Sequence, residues 1–477
     1  MEYKILMNSR SEIIKLINRI EGLYPVNNWK AYGICIWPIV RFSIYAKLWT
    51  KNHNTYKKNN SYKFIKMWDF VRNFYKNLAR NDEDHSYALF LNNAGCRREV
   101  DGIWFDVFTD PIRNVLADNG YSSITYEWEN TKYCSPIYSD SVRFQSNLNI
   151  IKIKAKFKAI QKKATFPFFD EINDKVGNVL DLGELYYQVE LIHESYMFFL
   201  EHIRKIKPSI AFSTIYYNEI SMGFILACKK EGVLSIDIQH GMQVGNNPAY
   251  SFWQSLSEDS YDLLPDVFLV RGMAEKDNIE KWLKKGNVII SGDLWLNFWK
   301  NNNEALVIKY DSMIASQKKY NKKYILYTLD YENIPEVMKN IIRKTSSEYY
   351  WCIRLHPDDL KNIDTRYKEL SELLEFVEIK YSSTWPLHAW LRNVDIHITE
   401  YSGVVYEAEE FGVPSVIVSK REAGLFSDVI SRGNAVVADD EASIIQAMKK
   451  MKKCAYKKNI NNLFLDELLQ LISTKQV

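Results

Sequence analysis

Short apolar runs alternate with amphipathic segments twice along this chain, and this alternation limits the fold more than any other feature. The first series begins at YALFLN (87–92) and continues through SSITYEW, SIAFSTI, SIDIQHG, DVFLVRG and NVIISGD. The second begins at YILYTL (324–329) and continues through YYWCIRL, VDIHIT and PSVIVS. Such runs, separated by helical periodicity, are typical of parallel sheets with helices on both faces. The sequence therefore predicts two successive α/β domains.

The length supports this division, because 477 residues exceed what one hydrophobic core usually organises. We expect one α/β domain over residues 86–300 and a second over residues 323–477. The Asn- and Lys-rich segment 301–322 would link them. Residues 1–85 are basic and aromatic without strand signals, and they predict a helical N-terminal region.

The charge of the chain is nearly balanced, with 62 basic against 59 acidic residues, so it does not indicate a nucleic-acid partner. The distribution is less even. Residues 51–80 contain eight lysines and arginines, interleaved with aromatic residues, and one acid, Asp69; residues 152–163 form a second basic stretch. A solvated face is one interpretation of the first run, and attraction to an anionic membrane surface is the other.

The six cysteines are scattered without CxxC pairs or metal-ligand spacing, which favours a reducing compartment. The charged N-terminus does not resemble the apolar core of a signal peptide. The best membrane candidate, AYGICIWPIV (31–40), has ten residues, whereas a spanning helix needs about 20. We therefore expect a cytoplasmic protein, with peripheral contact at the inner face of the membrane as a further hypothesis.

A polar break follows the strand VDIHIT and precedes a helix, in the segment VDIHITEYSGVVYEAEEFGVPSVIV (394–418). It carries Glu400, Ser402 and Gly403, and the backbone N–H groups of such a turn favour anions. Glu407 follows one helical turn later, where its carboxylate suits a ribose diol better than a phosphate. The alternative is a plain N-cap at Ser402 and a solvated Glu407.

Two histidines stand at the ends of other predicted strands. His356 follows Arg354 in IRLHPDD, where the pair could neutralise phosphate or protonate a leaving group. His240 ends SIDIQHG in the first domain; if the domains face each other, it could deprotonate an acceptor hydroxyl. Both histidines could instead be ordinary turn residues. Arg97 and Arg98, after the first strand, are either anion ligands or surface charges.

The three motifs QHG, RLHP and TEYSGVVYEA, in this order, resemble the GT-B glycosyltransferase superfamily, particularly enzymes of bacterial capsule, O-antigen and teichoic acid synthesis. TEYSG is similar to a Thr-Asp-Tyr-Ser-Ser stretch of CDP-glycerol glycerophosphotransferases. The spacing of Ser402 and Glu407 is similar to that in the hydrolysing UDP-GlcNAc epimerases. The His-Pro pair is similar to that of bacterial sialyl- and Kdo-transferases. The resemblance implies a GT-B fold, with two Rossmann-like domains facing a central cleft.

The resemblance also implies roles for the motif residues. Ser402 and Gly403 would bind donor phosphate, with Arg354 and Glu400 beside the donor nucleotide. Glu407 would bind the ribose, His356 the phosphate or leaving group, and His240 would be the base.

Two departures from the family patterns stand out. The epimerases carry a His-x-Glu-Ala-Gly where this chain has QHGMQ, so an acid of epimerase chemistry is missing. Gly403 replaces the second Ser of the polyol-phosphate enzymes.

No cofactor or metal is expected, because the literal D-x-D at residues 82–84 precedes the first predicted strand. No GxGxxG, P-loop or GxSxG occurs either. We expect a metal-independent glycosyltransferase that moves a sugar from a nucleotide-activated donor to a glycan or lipid-linked acceptor of a capsule or O-antigen. The alternatives are a CDP-glycerol-type polyol phosphotransferase and a non-catalytic scaffold of a polysaccharide assembly complex.

Overall fold

The computed structural model describes residues 10–53, 85–128, 136–161, 165–241, 247–254, 256, 260–302, 304–317, 319, 321–329, 334–356, 359–360, 363–419, 426–456 and 463–475. The chain forms two compact units: unit 1 is Met1–Gly292 with Asn461–Val477, and unit 2 is Asp293–Ile460. Residues 54–80 of the basic run, and the D-x-D at residues 82–84, lie outside the described residues.

In its described part, residues 10–53, the N-terminal region forms two helices, α1 (Arg10–Leu23) and α2 (Trp37–His53), in keeping with the helical prediction. Between them lies a short antiparallel ribbon that the sequence did not predict, β1 (Lys30–Ala31) with β2 (Ile34–Cys35). The apolar faces of both helices share one hydrophobic core with the first large sheet. This part of the N-terminal region is thus integral to unit 1.

The other strands of unit 1 lie between residues 88 and 290. They are β3 (Ala88–Asn93), β4 (Arg97–Val100), β5 (Ile103–Asp106), β6 (Ser123–Trp128), β7 (Val142–Arg143), β8 (Ile210–Ser213), β9 (Leu234–Ile238), β10 (Val267–Val270) and β11 (Asn287–Ile290). Strands β4 and β5 form an antiparallel hairpin. The other seven form a parallel sheet in the order β11-β10-β9-β8-β3-β6-β7. Strands β8, β9 and β10 are buried along their whole length, which explains their unbroken apolar runs in the sequence.

Helices connect and cover these strands. They are α3 (Asp110–Asp118), α4 (Gln145–Ile160), α5 (Phe169–Lys175), α6 (Leu182–Ile206), α7 (Glu219–Lys230) and α8 (Met273–Glu280). Helix α6 begins where the Asp181 side chain accepts a hydrogen bond from the Glu184 N–H, and it ends at Lys207 in a left-handed conformation. Helix α7 packs closely on it, because a Cβ on Gly223 would lie 2.6 Å from the Ser195 Cβ.

The described residues of unit 2 form six strands in one parallel sheet. They are β12 (Lys323–Thr328), β13 (Tyr349–Arg354), β14 (Val377–Glu378), β15 (Ile396–Thr399), β16 (Ser415–Ile417) and β17 (Ala435–Val437). Their spatial order is β14-β13-β12-β15-β16-β17, and every pair is parallel.

The remaining helices complete the fold. They are α9 (Leu294–Lys300), α10 (Ala305–Ser316), α11 (Glu336–Thr345), α12 (Ile363–Glu369), α13 (Lys380–Thr384), α14 (Leu387–Asn393), α15 (Val404–Glu410), α16 (Ser427–Ser431), α17 (Glu441–Lys450) and α18 (Leu463–Lys475). The predicted linker 301–322 contains α10, which packs on α14 within unit 2. Helix α18 falls within the predicted second domain but packs on β11 of unit 1.

The strand order reverses once in each sheet, between β3 and β8 in unit 1 and between β12 and β15 in unit 2. Open α/β sheets bind ligands outside the carboxyl ends of the strands at such switch points. The predicted fold class, two Rossmann-like α/β domains with a helical N-terminal region, is confirmed by the two parallel sheets and by helices α1 and α2. Among the described residues, no helix combines the length and apolar character needed to cross a bilayer.

A buried ion pair ties the N-terminal helices to the rest of unit 1. The Arg41 Nε donates to the Glu21 carboxylate at 2.7 Å, and both side chains are at most 1% exposed. The Trp37 indole N–H and the Gln254 backbone N–H also donate to Glu21. Removing one partner of a buried pair leaves the other charge without compensation.

We therefore expect Glu21→Ala to destabilise unit 1 by about 3–5 kcal/mol, because the buried Arg41 guanidinium would lose the carboxylate that balances its charge. Glu184→Ala is the control, since Glu184 forms a partly exposed pair with Lys47 and its loss should cost about 1 kcal/mol or less. Urea unfolding of both variants measures the difference. Equal destabilisation would contradict a special role for the buried pair.

Candidate functional site

The switch point of the unit 2 sheet brings together most of the predicted donor-site residues. Glu400, Ser402 and Gly403 directly follow β15, one of the two strands at the switch point. Arg354 ends β13, the next strand beyond β12. Because the sheet is parallel, all these residues lie at its carboxyl edge.

Arg354 is held inside this edge by backbone carbonyls. One of its terminal nitrogens donates to the Ser382 carbonyl oxygen at 2.6 Å and to the Trp385 carbonyl oxygen at 2.8 Å. Burial lowers the pKa of Arg354 to about 10, and the charge of Glu407 opposes that shift. The guanidinium is therefore protonated at neutral pH and interacts electrostatically with Glu407.

His388 is a third member of this group that the sequence did not single out. Its Nε2 lies 3.9 Å from the Glu407 Oε1, and its ring stacks on Trp299 with centroids 6.0 Å apart. Burial, followed by the nearby Arg354 charge, lowers the pKa of His388 to about 3. A neutral imidazole therefore faces the Glu407 carboxylate at pH 7.

The turn before α15 is ordered by short-range hydrogen bonds. The Ser402 N–H donates to the Thr399 hydroxyl at 3.1 Å, and the Ser402 Oγ accepts weakly from the Val404 N–H at 3.4 Å. Gly403, rather than Ser402, is the N-cap of α15. Apart from its chain neighbours, no atom of the described residues lies within 4 Å of the position of its missing Cβ, so the turn is open on this side.

Glu400 and His356 stand beside this group. The Tyr327 hydroxyl donates to a Glu400 carboxylate oxygen at 3.4 Å. His356 is two residues beyond the end of β13 and is partly exposed, and its carbonyl accepts from the Asp359 N–H at 2.9 Å. The roles of Glu400 and His356 at this edge stay predictions.

His240 lies just beyond the carboxyl end of β9 in unit 1, as the sequence predicts. Its Nε2 is 3.1 Å from the Tyr217 hydroxyl, and its ring meets the Phe108 ring edge-on. Burial lowers the pKa of His240 to about 4, and the Arg271 charge acts in the same direction. The imidazole is therefore neutral at pH 7, which is the form that accepts a proton.

The surroundings of His240 are set by a buried acid and its tyrosines. The Asp237 carboxylate accepts hydrogen bonds from the Tyr250 hydroxyl at 2.8 Å and the Tyr216 backbone N–H at 3.1 Å. Burial raises the pKa of Asp237 to about 8, although these hydrogen bonds oppose the shift. The adjacent Tyr217 is the residue that contacts His240.

The loop that follows His240 is anchored by the N-terminal region. Arg41 donates to the carbonyl oxygens of Pro248, Ser251 and Phe252, and its guanidinium lies 4.4 Å from the Trp253 ring centroid. Residues 242–246, between His240 and this loop, lie outside the described residues. Arg41, which pairs with Glu21, therefore also fixes the backbone at Pro248, Ser251 and Phe252.

Arg97 and Arg98 have different surroundings. The Arg97 side chain is 1% exposed and pairs with Glu127 at 2.5 Å, so it serves the interior of unit 1. Arg98 is exposed and donates to the carbonyl oxygens of Gly95 and Arg97. Over the ranges that the structure describes, no group of three or more His, Cys, Asp or Glu side chains could hold a metal ion.

No protein-family model and no curated protein matches this chain. Solved structures resemble it, among them the UDP-GlcNAc 2-epimerase of Neisseria meningitidis bound to UDP-GlcNAc, with a TM-score of 0.48 and 14% identity over 80% of this chain and 99% of that one. The wall teichoic acid polymerase TagF has a TM-score of 0.45 and 11% identity, over 86% of this chain and 99% of that one. A complex of Staphylococcus aureus MnaA with UDP has a TM-score of 0.39 and 14% identity, over 76% and 87%.

These structures include two of the kinds of enzyme that the sequence motifs resemble, the epimerases and a teichoic acid polymerase.

Sequence reasoning missed His388, Tyr217 and Asp237. Asp237 had a local signal, since it is an acid inside an apolar strand three residues before His240. His388 and Tyr217 had none, because each reaches the site from an element that is distant in sequence from its partner.

The buried histidines predict a loss of stability in acid. The pKa values of His388 and His397 are lowered to about 3 and that of His240 to about 4, in each case chiefly by burial. The unfolded chain, with histidine pKa values near 6.5, binds protons first as the pH falls. Stability should therefore be complete above about pH 6.5 and decrease toward pH 4, by about 2 kcal/mol per histidine at pH 5.

His388→Phe keeps a ring against Trp299 but does not titrate. We expect the stability of this variant to fall by about 2 kcal/mol less than that of the wild type between pH 7 and pH 5. Urea unfolding midpoints at the two pH values measure this. An identical decrease in both proteins would show that His388 is protonated in the folded state.

Proposed function

We propose that this chain is a metal-independent glycosyltransferase of the GT-B type, which transfers a sugar from a nucleotide-activated donor to a glycan or lipid-linked acceptor in surface polysaccharide synthesis. One observation carries the proposal. Arg354, His388 and Glu407 come together at the carboxyl edge of a parallel sheet, with the turn 400–403 at its switch point. Such edges are where α/β sheets bind nucleotides.

Charge explains how this edge would hold a donor. Arg354 is a cation fixed by two carbonyl contacts, so it can oppose the negative charge of the donor phosphate without moving. His356 and the turn at Ser402 and Gly403 would add donors to the phosphate oxygens. Glu407 would accept hydrogen bonds from the ribose hydroxyls, and Glu400 would line the nucleotide site. A preorganised cation of this kind offsets the charge of the leaving nucleotide without a metal.

His240, in unit 1, would act as the base that the transfer requires. Its neutral imidazole would take the proton of the acceptor hydroxyl while the acceptor oxygen bonds to the anomeric carbon. The bond from that carbon to the nucleotide phosphate then breaks, and the nucleotide leaves with the electron pair. Tyr217, at 3.1 Å from the Nε2 of His240, would orient the ring.

The donor site predicts a specific loss in Glu407→Ala. The affinity for the donor nucleotide should fall by about 1–3 kcal/mol, because the variant lacks a hydrogen bond to the ribose. Glu410→Ala is the matched control, since Glu410 lies on the same helix but pairs with Lys300. Titration calorimetry with the same nucleotide compares them. Unchanged affinity in Glu407→Ala, or an equal loss in both variants, would remove Glu407 from the site.

His240→Ala should lower turnover by about 100- to 10,000-fold while donor affinity stays the same, because the base acts on the acceptor. His202→Ala is the control, since His202 lies on α6 and its Nδ1 is 2.8 Å from the Phe198 carbonyl oxygen. Steady-state rates and donor binding are measured on all three proteins. Near-normal turnover in His240→Ala would exclude it as the base.

A donor assay separates the proposal from the phosphotransferase alternative, which the TEYSG segment favours. The protein is incubated in separate reactions with UDP-sugars, CMP-sugars and CDP-glycerol, and free UDP or CMP is measured. Nucleotide release from a sugar donor supports glycosyl transfer, and release of CMP from CDP-glycerol alone supports phosphopolyol transfer. Failure of every nucleotide to bind in calorimetry would favour the scaffold.

A further inference from the structure

Helix α4 (Gln145–Ile160) has an apolar face on each of two opposite sides. One side is buried: Leu148, Ile151 and Ala155 pack in a core cluster together with residues of α6 and α7. Because this side fastens the helix to unit 1, the opposite side necessarily points outward. That outward side would be polar in an ordinary surface helix.

The outward side of α4 is instead apolar. Ile150, Ile153, Phe157 and Ile160 are exposed by 37%, 57%, 67% and 76%. Their spacing of three, four and three residues places them in one row along the helix, which we call the α4 stripe. Single exposed apolar residues are common on protein surfaces, but a row of four large ones over one helix marks an interaction site.

Lysines border the α4 stripe on both sides. At about 100° per residue, Lys152 and Lys156 lie along one border and Lys154 and Lys158 along the other. The helix contains no acidic residue. Lys158 pairs with Glu194, while Lys154 and Lys156 are exposed. The surface is therefore an apolar row with lysines on both borders, of which Lys158 is paired with an acid.

We infer that α4 is an interfacial helix that binds the surface of an anionic lipid bilayer. The side chains of Ile153, Phe157 and Ile160 would enter the boundary between headgroups and acyl chains, and the lysines would contact lipid phosphates. A protein partner fits less well, because the cores of protein interfaces are depleted in lysine. The inference does not depend on the proposed enzymatic activity, and its residues differ from those of the basic run 51–80.

Flotation of the full chain with vesicles tests the inference. We expect binding to vesicles of phosphatidylcholine with phosphatidylglycerol that exceeds binding to phosphatidylcholine alone. Ile153→Ser/Phe157→Ser/Ile160→Ser should reduce the partition coefficient at least about tenfold, because it removes the inserted apolar surface. The fold should persist, since these side chains are mostly in water, and an unchanged melting temperature checks this.

A matched control changes three equally exposed apolar residues elsewhere. Leu23→Ser/Met273→Ser/Ile308→Ser alters side chains that are 64%, 61% and 51% exposed on α1, α8 and α10. This variant should bind vesicles as the wild type does. A loss of binding equal to that of the stripe variant would overturn the assignment, because hydrophobicity in general would then explain it.

A variant with fewer positive charges tests the role of the lysines that border the α4 stripe. Lys152→Gln/Lys154→Gln/Lys156→Gln should bind anionic vesicles more weakly, and its binding should depend less on salt than that of the wild type.

Wild-type protein that fails to bind anionic vesicles would overturn the inference. So would a stripe variant that binds as well as the wild type, since the basic run 51–80 would then suffice. A stripe variant that alters only the oligomeric state in sedimentation would assign the face to contact between copies instead.

Discussion

The parallel arrangement of strands is the constraint on which the functional geometry depends. Parallel strands all end at the same edge of a sheet, so a polar residue that follows any strand is delivered to that edge whatever its position in the sequence. Arg354 at the end of β13 and Glu400 after β15 reach the same edge in this way, although 46 residues separate them in sequence (400 minus 354). His240 reaches the corresponding edge of the first sheet by the same rule.

Burial then decides the chemical state of these residues. The low pKa values of His240 and His388 follow from the loss of hydration of the charged imidazolium, and both rings are neutral in the pH range where most enzymes work. Arg354 resists the same effect because its intrinsic pKa is high and Glu407 lies nearby. Burial thus leaves a neutral imidazole at the carboxyl edge of the unit 1 sheet, and a fixed cation beside a neutral imidazole at that of the unit 2 sheet.

The N-terminal region anchors the loop beyond His240 within unit 1. Arg41 and Glu21 lie in the interior, and Arg41 also holds three carbonyl groups of the loop beyond His240. A buried charge pair is costly to form, but it specifies which segments meet. Helix α4 has exposed apolar side chains instead of buried charges. Its outward face leaves these side chains in water beside lysines, which is unfavourable unless another surface covers them.

Much of the fold could be predicted from the sequence, because it depends on local periodicity. Alternating apolar and amphipathic segments determined both sheets, and strand ends determined where Arg354, His356, His240 and the turn 400–403 would lie. The sequence also identified the basic character of residues 152–163, but the row of apolar side chains exposed on α4 was visible only once its buried side was known.

The tertiary structure alone decided which distant residues touch. His388 meets Glu407 because α14 packs beside α15, and Tyr217 meets His240 because the segment before α7 lies against the end of β9. Arg97 and Arg98 are neighbours in sequence, yet only the first is buried, against Glu127 on another strand. Such contacts depend on strand order and helix packing over the whole unit, and local sequence patterns do not encode these because they report only the surroundings of each segment along the chain.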